Sequence, residues 1–127
     1  RALFDLDQPH AYVYLPDAGR AIAELVEDPD ADGRIWILPA TTTATQREML
    51  TAVNEHLAKP VGIGVIGSSM LRVAGLVSPM LRELRSVRPQ FARPWQVDSS
   101  EFDERFAFRT TDPGEAIAAT VDSFRSN

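Results

Sequence analysis

Hydrophobic and polar positions along the chain alternate between two periods. Residues 11–15, "AYVYL", are aromatic and branched, a composition that favours a strand. Asp17 follows as a good helix N-cap, and Ala18, Ala21, Ile22, Leu25 and Val26 then recur at helical spacing until Pro29 and the polar "DPDADG" turn. A second short strand, "RIWIL", is expected at 34–38. Thr45 and Glu48 read as a capping box, and Met49, Val53 and Leu57 line one face of the helix it starts, which Pro60 closes. A third strand is expected at 61–66, "VGIGVI".

From about Ser68 the pattern predicts a mostly apolar helix, restarted at Ser78-Pro79, holding Leu71, Val73, Leu76, Met80, Leu81 and Leu84. "PWQVD" is expected to be extended and "SSEFDERF" to make one or two turns of helix. The last helix starts at Asp112-Pro-Gly-Glu115 and is expected to bury Ile117, Val121 and Phe124. Strand, helix and strand at these lengths make βαβ units, so the expectation is an α/β fold: short parallel strands alternating with helices, βαβαβ and then helices. No repeat or linker divides residues 1–127, which are expected to form one domain.

Composition narrows the function classes. The net charge of −5 repels a phosphate backbone, so nucleic acid is not an expected partner. No apolar run approaches the roughly 18 residues that span a bilayer, so no membrane is expected either. With no cysteine there is no disulfide, thiolate metal site or cysteine nucleophile, which fits a reducing, cytoplasmic setting. The first residue is Arg1 and no signal-peptide pattern follows, so the chain is expected to begin inside a longer parent.

Gly62, Gly64 and Gly67 match the spacing of a dinucleotide-binding turn. Their context does not. The residues before Gly62 belong to a helix ended by Pro60, and the position expected to hold a ribose is Glu83, inside a helix. The glycines therefore read as strand positions that permit close backbone approach or a bulge.

No Tyr is followed at one helical turn by a Lys, since Lys59 is the only lysine and Glu55 stands four residues before it. His10 and His56 show no metal-ligand spacing, and His56 reads as a solvated helix residue. No G-x-S-x-G elbow is present, and Asp98, Glu101, Asp103 and Glu104 read as a solvated turn and helix start. Arg72, Arg82, Arg85, Arg88 and Arg93, with Trp95 just beyond, could hold a carboxylate or phosphate, or form a wet face or a contact with another domain.

Taken in order, "HAYVYLPDAGRAIAEL", "GRIWILP", "TATQREMLTAVNEHL", "VDSSEF" and "DPGEAIAATVDSFR" resemble the carboxyl-terminal part of an NAD(P)-dependent epimerase/dehydratase, an extended short-chain dehydrogenase/reductase. The resemblance spans essentially the whole chain. It implies the C-terminal part of a Rossmann-type enzyme, whose absent N-terminal Rossmann domain carries the glycine turn, the cofactor and the Tyr-x-x-x-Lys pair. NAD or NADP is then the cofactor of the parent, none is bound by this chain alone, and the chain is inactive by itself.

The same resemblance places these residues at the wall of a substrate cleft, with His10, Tyr12, Tyr14, Met70 and Trp95 as the substrate-binding candidates. His10 stands where sugar-nucleotide epimerases have an Arg that binds a diphosphate, and "FARPWQVD" lacks their Arg-x-Gly-Asp pattern. A neutral imidazole sets no charge against a pyrophosphate, which points to a small hydroxy or carbonyl compound as the small-molecule substrate. The expected partners are the missing Rossmann domain and, through an uncovered apolar face, a second copy in a homodimer or other self-association. Two other readings are a non-catalytic dinucleotide-sensing or regulatory protein of the same fold, and a complete small α/β binding module with its own pocket.

Overall fold

A computed structural model of the chain describes residues 2–3, 6–62, 64–66 and 93–125. The chain divides into two compact units: residues 1–10 with 44–95, and residues 11–43 with 96–127.

In the first unit, β1 (Ala2–Leu3) pairs in parallel with β4 (Val65–Ile66), setting Ala2 opposite Val65 and Leu3 opposite Ile66. Helix α2 (Gln46–Glu55) starts at the expected capping box: the Thr45 hydroxyl accepts from the Glu48 amide at 3.1 Å, and the Glu48 carboxylate accepts from the Thr45 amide at 2.8 Å. Arg47 fixes the chain before the helix, donating to Asp7 at 2.7 and 3.1 Å while its amide donates to the Leu6 carbonyl at 3.3 Å. Past the end of α2, the Asn54 side chain holds Val61 from both sides, accepting from its amide at 2.8 Å and donating to its carbonyl at 3.1 Å.

The second unit is built around aromatic rings. Phe102, on α3 (Ser100–Phe106), is 0% exposed and meets Trp36 at 6.2 Å, Phe106 at 4.7 Å and Phe108 at 5.6 Å between ring centroids. Edge contacts of this kind add to the area the rings bury. Helix α1 (Leu15–Glu27) places Ala21 against the core, and α4 (Pro113–Arg125) places Ala116 and Val121 there. The Asp112 carboxylate caps α4, accepting from the amides of Gly114 and Glu115 at 2.9 and 3.2 Å. Arg105 clamps Asp28 at 2.5 and 2.8 Å, beside the 3-10 turn Pro29–Ala31. Among the described residues no helix is long and apolar enough to cross a membrane.

The expected α/β arrangement, βαβαβ over parallel strands as in the C-terminal part of a Rossmann-type enzyme, is overturned. The described strands pair only two by two, β1 with β4 and, antiparallel, β2 (Pro9–Tyr12) with β3 (Thr42–Thr45). "RIWIL" forms no strand, and Thr42–Thr45 forms one in its place. The reason is physical: strand propensity reflects fit to a pleated, half-buried surface, and a strand exists only where a neighbour offers hydrogen bonds. Of the described residues in the expected 61–66 strand, Val65–Ile66 pairs, while the Val61 backbone is held by the Asn54 side chain.

Smaller corrections follow the same logic. The N-cap of α1 is Tyr14, not Asp17, because Pro16 takes the first turn. Leu57 lies beyond α2, and Ile22, Val26 and Phe124 are exposed. The helices expected over 68–84 lie outside the described residues.

Candidate functional site

Among the described residues the Asp17 carboxylate, in the second unit, is a fully buried charge held by four hydrogen bonds. Pro16 draws the start of α1 back to Leu15, so Asp17 sits in the first turn with Arg20 one turn later. The Asp17 side chain is 1% exposed. Arg20 donates to its Oδ1 at 2.5 Å, the Thr111 hydroxyl to Oδ1 at 2.7 Å, the Thr111 amide to Oδ2 at 2.9 Å, and the Thr41 hydroxyl to Oδ2 at 3.1 Å. The Thr41 hydroxyl in turn accepts from the Tyr14 amide at 2.8 Å, tying the N-cap of α1 into the cluster.

Burial pushes the pKa of Asp17 upward, but the hydrogen bonds from Thr111, Arg20 and Thr41 outweigh it and hold the carboxyl at about 2, below its ordinary 3.8. A group that releases its proton so far below neutrality makes a poor general base. Asp17, charged and held by four hydrogen bonds, orients its neighbours.

Arg20 leads outward to an open groove of about 450 Å³ lined by Arg20, Ala23, Glu24, Glu27, Phe106, Ala107, Phe108 and Arg109. Its guanidinium also donates to the Arg109 carbonyl at 3.2 Å and lies 4.9 Å from the centre of the Phe108 ring. Ala107, the C-cap of α3, has φ 46°, a left-handed conformation that side chains other than glycine adopt at a cost. The groove pairs aromatic edges with charges of both signs.

The residues expected from the sequence fall in different places. In the first unit His10, on β2, forms a parallel bridge with Trp95, whose amide donates to the Pro9 carbonyl at 2.9 Å. Trp95 is 58% exposed. His10 Nδ1 donates to the Gln8 carbonyl at 2.9 Å, since a carbonyl oxygen only accepts.

Tyr12 and Tyr14 belong to the second unit, where burial pushes the Tyr12 phenol pKa upward and Tyr14 caps α1. Met70, with Arg72, Arg82, Arg85, Arg88 and Gly67, lies outside the described residues. Arg93 is exposed and His56 is half-buried at the end of α2 rather than solvated on its face. Gly62 has open space where a Cβ would stand, so no close backbone approach requires it.

Thr41 and Thr111 were not singled out by sequence reasoning, because isolated threonines in polar stretches carry no periodic signal. The one available clue was Pro16: a proline in the first turn moves Asp17 inside the helix and away from the cap. Among the described residues no group of three or more His, Asp or Glu side chains is placed to hold a metal ion. Comparison with protein-family models, with curated proteins and with solved structures finds no match for this chain.

Proposed function

We propose that this chain is the substrate-side part of an NAD(P)-dependent epimerase/dehydratase or reductase, inactive alone and completed by a separate cofactor-binding domain. The single observation that carries the reading is the pairing of His10 with Trp95. Two of the cleft-wall candidates that the resemblance suggests, distant in sequence, are backbone neighbours, and one of them is a large exposed aromatic. The exposed indole supplies an apolar platform and the imidazole a neutral hydrogen-bonding group, a combination suited to a small hydroxy or carbonyl compound.

The Asp17 cluster supports the same reading from another side. The resemblance is carried most specifically by "HAYVYLPDAGRAIAEL", and Asp17 in that stretch anchors the start of α1. In the longer protein, His10→Ala raises the Michaelis constant for substrate about threefold to tenfold, the worth of one neutral hydrogen bond, and leaves the cofactor dissociation constant unchanged. An unaltered Michaelis constant together with a lowered unfolding midpoint would reduce His10 to a packing residue and overturn the assignment.

A further inference from the structure

The turn that follows the 3-10 helix Pro29–Ala31 contains the chain's single Asp-Gly step, Asp32-Gly33. Both residues are exposed. Gly33 has φ 70°, which glycine adopts freely, and no atom lies within 4 Å of where a Cβ would stand. Among the described residues the Gly33 amide makes no hydrogen bond, and the Asp32 carboxylate makes neither a hydrogen bond nor an ion pair.

Other aspartates followed by a small residue are held. Asp17 is buried and accepts from Arg20, Thr41 and Thr111. Beside the same turn, the Asp30 carboxylate accepts from Arg105 at 3.4 Å, and the amide that follows it, that of Ala31, donates to the Asp28 carbonyl at 3.0 Å. A peptide nitrogen reaches the carboxyl of the preceding side chain only where both groups are free to turn toward each other. Asp32-Gly33 meets that condition and Asp30-Ala31 does not.

We propose that Asp32-Gly33 is a site of spontaneous backbone isomerisation to isoaspartate. The Gly33 nitrogen attacks the side-chain carboxyl carbon of Asp32 and forms a C–N bond. The protonated carboxyl gives up its OH, which leaves as water with the Gly33 amide proton, and a cyclic imide remains. Water then adds to either imide carbonyl. Addition at the side-chain carbonyl breaks the new bond and restores aspartate; addition at the main-chain carbonyl breaks the original peptide bond and leaves the chain running through the side chain. No oxidant or reductant enters.

The isoaspartyl link adds a methylene to the main chain between two anchors. Upstream, Ala31 is buried and its carbonyl accepts from Trp36 Nε1 at 3.1 Å. Downstream, Arg34 pairs with Glu101 and lies 4.4 Å from the centre of the Trp36 ring. The lengthened link displaces one anchor or the other, so conversion loosens the hold on Trp36 beside Phe102 and Phe106.

Incubating this chain near neutral pH in heavy-oxygen water, followed by peptide mapping, tests the proposal, because each passage through the imide leaves a solvent oxygen at the aspartate. The expected result is label and isoaspartate at Asp32 in the folded chain at a rate within severalfold of that in urea, whereas folding protects Asp30. Asp32→Glu, which needs a larger ring, removes the signal at this position and leaves the unfolding midpoint unchanged, since the side chain it replaces has no partner. Gly33→Ala slows conversion by crowding the attacking nitrogen; should the left-handed alanine disturb the turn, the Glu variant decides. The purified isoaspartyl form should unfold at a lower urea midpoint than the fresh chain. Folding that protects Asp32 as strongly as Asp30 overturns the proposal, and equal midpoints for the converted and fresh chains overturn the loosening of Trp36.

Discussion

Thr111 donates to the Asp17 carboxylate twice, through its hydroxyl to Oδ1 at 2.7 Å and through its amide to Oδ2 at 2.9 Å, across 94 residues of sequence. The second unit is made of two distant stretches, 11–43 and 96–127, and this pair joins one to the other. The amide contact cannot be removed by changing the Thr111 side chain, so the carboxylate is the group whose loss exposes what the cluster contributes.

Asp17→Asn keeps the shape of the side chain but turns one oxygen into a donor facing Thr111 and Arg20. Buried donors then confront one another and the charge-assisted bonds are lost. The expected destabilisation is about 2–4 kcal/mol, read as a lower urea midpoint at constant m. Thr111→Val, which spares the amide bond, should cost only about 1 kcal/mol. Equal effects from the two substitutions would show that the carboxylate is not the centre of the cluster.

Acid should weaken the fold through the same group. A carboxyl whose pKa is lower folded than unfolded contributes stability that is full above the unfolded value and is lost as pH falls through the folded value. For Asp17 the window runs from 3.8 down to about 2. The expected loss is about 1–2 kcal/mol, allowing for solvent around the half-exposed Arg20. Hydrogen bonds from Arg47 and Arg105 lower the pKa of the exposed Asp7 and the half-buried Asp28 as well, and these titrate in the same sense. Denaturation curves across this range should flatten in Asp17→Asn, and an unchanged slope would remove Asp17 as the cause.

Among the described residues Phe102 is the largest fully buried side chain, and it touches three other aromatic residues. Phe102→Ala removes a ring and leaves a cavity, at an expected cost of about 3–5 kcal/mol. Trp36 lies within the cluster, so its fluorescence reports the loss directly. Phe102→Leu, which fills most of the space, should recover more than half of it. A cost below about 1 kcal/mol would mean that the ring cluster is not the core.

Ala107 at φ 46° gives a prediction of the opposite sign. Ala107→Gly relieves a left-handed alanine and, after the added freedom of the unfolded chain is subtracted, should stabilise by up to about 1 kcal/mol. Ala119→Gly, inside α4, should instead destabilise by about 1 kcal/mol. Thermal denaturation of the two variants side by side tests the contrast, and losses of the same size in both would contradict the left-handed cap.

Local sequence determined the pieces that close within one turn of backbone. Thr45 and Glu48 satisfy each other across three residues, and Asp112 caps the helix that begins at the next residue, so neither needs a tertiary partner. The short helix at Ser100–Phe106 was also legible, although no side-chain hydrogen bond caps it at Ser99. Strands were not, because pairing decides them: Arg34–Leu38 has the stronger strand composition, yet Thr42–Thr45 found a neighbour in Pro9–Tyr12. The candidate site divides along the same line. Sequence proposed His10 and Trp95 one at a time, and only the folded chain made them adjacent. Of the partners of Asp17, Arg20 stands one turn on in the same helix, while Thr41 and Thr111 came from the tertiary structure alone, since no local periodicity connects them to it.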